Sequence, residues 1–153
     1  MKKIFFATLI LFTIVMNYSC SSDDDGSSLN NNSIATVIST MNSGTWKVTK
    51  YIDGENDESA DFSGYDFTFT ENNILMAKKD NDEIMGSWLV ATNSSNNGSS
   101  TSDLDFIISF SGPEKFLSLT DDWDIKSSTG DKLELIDVSG GNGGTDYLTF
   151  EKN

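Results

Sequence analysis

The chain has 153 residues, 24 acidic side chains against 10 basic ones, no histidine and a formal charge of −14 at pH 7. This negative balance repels phosphate backbones and excludes nucleic acid as a partner bound through a basic patch. Without histidine, neither a Ser-His-Asp nor a Cys-His nucleophile can be assembled, and zinc lacks its commonest nitrogen ligand. We therefore predict a protein that is not an enzyme and that uses no cofactor or metal. Calcium is the alternative at the acidic segments 53–59, 80–83 and 121–122, although none has the spacing of an EF-hand loop.

The N-terminus is a short cationic segment followed by an apolar run. Met1 to Lys3 carries two lysines, and Ile4 to Met16 is 13 residues without a charge. That length is typical of a secretory signal and is too short to span a bilayer, which takes about 20 residues. Residues 1–19 are therefore predicted to be a signal peptide.

Cys20 is the single cysteine of the chain and directly follows the small residue Ser19. One cysteine cannot form a disulfide within its own chain, and a reactive thiol needs a basic neighbour that this sequence does not offer. The pair resembles the lipobox of bacterial lipoproteins. The resemblance implies cleavage before Cys20, acylation of Cys20, and a membrane partner held through the acyl chains.

Residues 20–33 are predicted to form a lipidated, flexible tether. The stretch after Cys20 reads "SSDDDGSSLNNNS" and contains one apolar residue, Leu29, so it cannot bury enough surface to become ordered. Its start, "SSDDDG", resembles the tether of surface-exported lipoproteins of Bacteroidetes. This resemblance implies a location on the outer membrane, exposed at the cell surface.

Residues 34–153 are predicted to form one domain that opens with a short helix. Apolar side chains at positions 34, 37, 38 and 41 share one helical face, and Ser33 is a suitable N-cap. Beyond Gly44 every apolar cluster is short, often alternating, and bounded by Gly, Asn, Asp or Ser. The candidate strands are 45–52, 65–70, 74–79, 84–92, 103–110, 116–120, 123–127, 131–138 and 146–152, of which two together can be one bent strand. The segments "ENN" (71–73) and "DNDE" (80–83) are predicted to be hairpin turns on either side of the third strand.

The fold class predicted from these strands is all-β. Short strands joined by tight turns, with no long helix for crossovers, favour an antiparallel up-and-down meander of about eight strands. The meander forms a barrel or half-open barrel, preceded by the short helix, in which alternate side chains face the interior. Simple alternation places the following residues of the first two strands inside: Trp46, Val48, Ile52, Tyr65, Phe67 and Phe69. A β-sandwich is the alternative architecture.

The first strand carries a motif of known barrels. "GTWKV" at 44–48 resembles the Gly-x-Trp opening of lipocalins and their calycin relatives. "GSWLV" (86–90), "DDWDI" (122–126), "DKLEL" (131–135) and the terminal "YLTFEK" resemble the lipocalin-like domains of Bacteroidetes lipoproteins. The resemblance implies that Trp46 plugs one barrel end. An arginine covers this tryptophan in lipocalins, and Lys152 or Lys132 are the candidates to replace it.

Three classes of function remain open on the sequence. The first is a module that binds a small apolar molecule or a glycan, lined by the aromatic residues Phe67, Trp88, Phe106 and Trp123. The second is a packed barrel without a pocket that binds a protein of an outer-membrane assembly. A carboxylate-dependent hydrolase ranks behind both, because no pair of acidic residues stands out as an acid and base.

Overall fold

The computed structural model describes residues 34–92, 104–138 and 144–153. The predicted signal peptide, the acylated Cys20, the tether and the Ser33 cap lie outside these residues. The helical elements are α1 (Ile34–Met41), a 3₁₀ helix (Ser59–Phe62) and α2 (Glu114–Leu117). The strands are β1 (Thr45–Asp53), β2 (Asn56–Asp57), β3 (Asp66–Phe69), β4 (Ile74–Lys79), β5 (Asp82–Thr92), β6 (Leu104–Phe110), β7 (Asp121–Ser128), β8 (Lys132–Val138) and β9 (Thr145–Lys152).

The strands form an eight-stranded closed barrel. Every strand from β3 to β9 pairs antiparallel with its neighbour in the chain, and β1 pairs with both β3 and β9. β2 adds only two residue pairs at the end of β1. The predicted up-and-down meander behind a short helix is therefore confirmed. The closed ring leaves no free edge among these eight strands.

Helix α1 lies against the barrel end at which β1 begins, and we call this the Trp46 end. Val37 and Met41 are fully buried, and Ile34 and Ile38 pack partly buried against the same core. These are the four positions of the predicted apolar face. In the described part of the chain no helix has the length and apolarity needed to cross a membrane.

The alternation predicted for β1 is wrong beyond Val48. The register with β9 shifts between Val48 and Lys50, so Thr49 is the extra residue of a β-bulge. As a result Tyr51 points inward and is buried, whereas Ile52, which the simple alternation placed inside, is only half-buried. The bulge also keeps Lys50 on the outer face.

The strand predicted at 116–120 is also wrong. Residues Glu114–Leu117 form the one-turn helix α2, and the amide of Leu119 donates to the carbonyl of Phe116. Phe116 and Leu119 are three positions apart and both fully buried, which is a helical spacing rather than an alternating one. α2 connects β6 to β7 and so lies at the other barrel end, which we call the Phe116 end.

Both predicted hairpin turns next to β4 are confirmed. Asn73 and Asp80 adopt positive φ angles of 61° and 52°, a conformation that Asn and Asp tolerate better than most residues. Asn73 also extends the ladder, because its carbonyl accepts from the Trp88 amide at 3.0 Å and its side-chain nitrogen donates to the Trp88 carbonyl at 3.1 Å. The β3–β4 turn therefore fixes the position of Trp88.

Candidate functional site

The four residues predicted to line a ligand pocket all lie in the barrel interior. Phe67 and Phe106 are fully buried, and Trp123 and Trp88 are 1% and 3% exposed. The ring centroids of Trp88 and Phe106 lie 5.6 Å apart, and Trp123 is directly opposite Phe106 in the β6–β7 ladder. Phe67 packs against Phe150 at 5.4 Å. All four side chains are therefore part of one packed core.

The interior is packed ring against ring. Phe69 stands edge-on to Trp88, Phe106 and Phe150, with centroid distances of 5.3, 5.7 and 5.3 Å. Perpendicular arrangements at these distances are favourable because the edge of one ring meets the electron-rich face of the next. Phe69 therefore occupies the space between the aromatic residues that a ligand would have to contact.

The polar groups of the interior aromatic residues bind backbone carbonyls. The indole nitrogens of Trp46, Trp88 and Trp123 donate to the carbonyls of Met41, Thr70 and Leu119 at 3.0, 3.1 and 3.1 Å. Since an indole nitrogen carries a single hydrogen, each of these donors is already used within the protein.

The Tyr51 hydroxyl behaves in the same way. It donates to the carbonyl of Ser118 at 2.8 Å and so ties β1 to the segment that follows α2. Burial raises the pKa of Tyr51 above its ordinary value, and the nearby carboxylates of Asp53 and Glu58 add to the rise. The hydroxyl therefore stays protonated and serves as an internal donor.

The Trp46 end is covered by Lys152. Trp46 is fully buried, and the ammonium nitrogen of Lys152 lies 5.8 Å from the Trp46 ring centroid and donates to Ser43 Oγ at 2.9 Å. Lys132, the other candidate for this position, pairs instead with Glu134 at 3.2 Å. Gly44 has φ +135°, and a Cβ there would lie 3.0 Å from Lys152 Cε. Both constraints explain the glycine two positions before the tryptophan.

The Phe116 end is closed by an aromatic cluster that the sequence did not indicate. Phe116 from α2 packs against Phe62 and Tyr65, with centroid distances of 5.6 and 5.2 Å. Lys115 Nζ donates to the Tyr65 hydroxyl at 3.0 Å, and this hydroxyl donates to Asp82 Oδ2 at 2.6 Å. No spacing pattern links these positions, because their neighbourhood arises only when α2 folds over the barrel.

A groove of about 590 Å³ lies along the outer side of α1. It combines small apolar and polar side chains, and it is lined by Ala35, Ile38, Ser39, Asn42, Ser43 and Glu71. The Asn42 side-chain oxygen is buried and has no hydrogen-bond partner among the residues described. Such an atom costs free energy unless a donor reaches it. The groove is therefore a concave candidate site outside the barrel.

An apolar patch covers the outside of β4, β5 and β6. We call it the β5 face, and it consists of Ile74, Met76, Met85, Leu89 and Ile107. Met76 pairs with Met85 and Leu89 with Ile107 across the strands, on the side opposite the inward-facing Trp88 and Phe106. Ile74, Met85 and Leu89 are 39%, 50% and 46% exposed. The apolar side chains surround the exposed Ser87, which lies between Met85 and Leu89 on the same face. A group of exposed apolar side chains on neighbouring strands is typical of an interaction site.

The chain has a distant structural similarity to a protein of known structure. No protein-family model matches the chain, and no curated protein matches it. The crystal structure of a DUF4847 family protein from Bacteroides vulgatus ATCC 8482 is 16% identical to the chain, with a TM-score of 0.46. The match covers 74% of this chain and 94% of that one.

Proposed function

We propose that this protein is a surface-anchored outer-membrane lipoprotein whose barrel is a packed protein-interaction module. The observation that carries the proposal is the filled interior, in which Phe67, Trp88, Phe106 and Trp123 are at most 3% exposed. A ligand inside the barrel would have to displace rings packed at close to crystal density. The outer surface of the barrel is then the part that contacts a partner.

The attachment to a membrane rests on the N-terminal sequence. Ser19-Cys20 behind a 13-residue apolar run supports cleavage and acylation at Cys20. The acidic tether that follows supports display at the cell surface. A barrel held by two or three acyl chains meets outer-membrane proteins at high local concentration, so each contact can be weak and still be populated.

Binding of a small molecule or a glycan is the second candidate function. It is favoured by the groove beside α1, where the apolar side chains of Ala35 and Ile38 lie next to the polar side chains of Ser39 and Asn42. A ligand would place an apolar face against the first pair and its hydroxyl groups against the second. The ligand would then bind outside the barrel and leave the interior rings in place.

The two functions are separated by one pair of measurements on the full-length protein. Tryptophan fluorescence and native mass spectrometry are recorded against panels of lipids and glycans, and in parallel the protein is cross-linked in outer membranes. We expect no stoichiometric ligand and a stoichiometric protein partner. A ligand that binds one to one, with no partner recovered, would refute the interaction module.

A further inference from the structure

We infer that the β5 face docks a protein whose contact surface has an apolar centre and a basic rim. The inference rests on the proposed function and goes beyond it by naming the surface and the chemistry of the partner. Five large apolar side chains are exposed in the described part of the chain, and three of them, Ile74, Met85 and Leu89, belong to this face. The exposure is therefore concentrated on one side of the barrel.

The rim of the β5 face is mainly acidic. Asp122 lies opposite Ile107 in the ladder, Asp124 lies further along β7 on the same outer side, and Glu83 flanks Met85. All three are exposed, and the cations beside them are Lys78, opposite Glu83 in the ladder, and Lys126, two residues after Asp124. The Lys126 nitrogen lies 5.8 Å from the ring centroid of Tyr147 on β9. A partner with lysines or arginines around an apolar centre complements this distribution.

The lysines on the far side of the barrel do not neutralise this rim. Lys47 and Lys132 both lie opposite Glu151 of β9 in the ladder, and Lys50 lies opposite Thr149. β9 is four strands from β5 in either direction around the ring, so these three lysines lie on the side of the barrel away from β5.

The same charges argue against a second copy as the occupant. The chain carries a formal charge of −14, and face-to-face association would bring two acidic rims together. Like charges placed opposite each other across an interface oppose association. The acidic rim attracts a basic partner and repels a second copy of the chain. We therefore assign the β5 face to a different protein.

The decisive experiment compares two matched variants. Leu89→Asp puts a carboxylate in the middle of the β5 face, and Val138→Asp puts one at another exposed apolar position, 62% exposed on β8. Both add the same charge, so any difference between them reports the apolar contact. Since Leu89 points outward, we expect Leu89→Asp to fold, and Met85→Asp provides a second variant at a position that is 50% exposed.

The probe is a synthetic amphipathic helical peptide of leucine and lysine, titrated against the full-length protein in zwitterionic nanodiscs, with empty discs as the blank. We expect Leu89→Asp and Met85→Asp to weaken binding about tenfold, the usual loss at a central contact, and Val138→Asp to leave it unchanged. Asp122→Asn combined with Asp124→Asn should weaken binding and flatten its salt dependence. Equal affinity of Leu89→Asp and Val138→Asp would overturn the inference.

Two further readouts distinguish this inference from the proposed function. If a cross-linked outer-membrane partner is retained by Leu89→Asp, the β5 face is not the docking surface, although the interaction module stands. If sedimentation shows a dimer that Leu89→Asp dissociates, the occupant is a second copy and the basic partner is refuted. Loss of the cross-linked partner in Leu89→Asp, but not in Val138→Asp, supports the inference.

Discussion

Lys152 and Trp46 are directly opposite each other in the β1–β9 ladder, and the Lys152 ammonium nitrogen lies 5.8 Å from the Trp46 ring centroid. The last strand of the barrel thus supplies the cation that covers the first tryptophan. Ser43 Oγ accepts a hydrogen bond from the same nitrogen at 2.9 Å and fixes its position.

Replacing Lys152 by methionine keeps most of the side-chain length and removes the charge. We expect Lys152→Met to lower the free energy of unfolding by about 0.5–1 kcal/mol, the value of a cation over an aromatic face near the surface. Urea denaturation followed by tryptophan fluorescence measures this loss. Lys78→Met, at an exposed lysine of β4, is the control. Equal losses in the two variants would mean that the contact with Trp46 does not stabilise the fold.

Gly86 points into the barrel at a position where a side chain does not fit. A Cβ there would lie 2.6 Å from both Phe110 Cδ1 and the Ser109 carbonyl oxygen. Because a backbone atom is one of the two obstacles, we expect Gly86→Ala to cost about 1–3 kcal/mol, as overpacked cores do. The control is Gly130→Ala, where no atom lies within 4 Å of the added carbon. Thermal unfolding at the same midpoint in both variants would contradict the expectation.

Removing the Tyr51 hydroxyl tests the closure of the Phe116 end. In Tyr51→Phe the Ser118 carbonyl loses the donor now 2.8 Å away, and we expect a loss of about 1 kcal/mol in chemical denaturation. Tyr147→Phe removes a hydroxyl from the outer surface and should be nearly neutral. Amide hydrogen exchange should speed up around α2 in Tyr51→Phe alone. An unchanged exchange rate there would show that the hydrogen bond does not hold α2.

Asp121 should make stability depend on pH. Burial, with smaller contributions from nearby Asp137 and Asp122, raises the pKa of Asp121 above its ordinary value. A carboxyl group whose pKa is raised on folding destabilises the folded state at pH values above that pKa, and the penalty disappears as the pH falls below its unfolded value. Asp121→Asn should therefore stabilise the protein at pH 7, by less than about 1 kcal/mol given solvent screening. It should give no gain near pH 3, which urea titrations at the two pH values would measure.

Cleavage before Cys20 and acylation of Cys20 would both change the mass of the protein extracted from membranes. We expect intact-mass spectrometry to show loss of residues 1–19 and a gain corresponding to a diacylglyceryl group, with or without a further acyl chain, on Cys20. Cys20→Ala should leave the signal uncleaved. Mature protein with a free Cys20 thiol would refute the lipoprotein assignment.

Simple alternation predicted the strands well where the two faces of a strand have different surroundings. Tyr65, Phe67 and Phe69 are buried as expected, because one side of β3 meets the core and the other meets solvent. The method failed at β1, since the bulge at Thr49 shifts the register without any glycine or proline to mark it. It also failed at Phe116 and Leu119, because so short an apolar run fits a strand and a helical turn equally well.

The candidate site was only partly predictable. Composition revealed the aromatic residues, but whether they line a cavity or fill it depends on how rings such as Phe69 interdigitate. The β5 face is predictable from the sequence, because the outward-facing Met85 and Leu89 alternate with the inward-facing Trp88 and Val90 in one strand. The hydrogen bond between Lys115 and Tyr65 could not be predicted from the sequence, since 50 residues separate the two positions.

The pairing of the first strand with the last also sets the time at which the domain can form. β1 has six paired positions with β9 but only two with β3. Most of the ladder hydrogen bonds of β1 therefore form only when Tyr147 to Lys152 are available for pairing. Pairings this distant in sequence make folding slow. During biosynthesis the ring cannot close until β9 has emerged from the ribosome, so until then β1 lacks the partner that supplies most of its ladder hydrogen bonds.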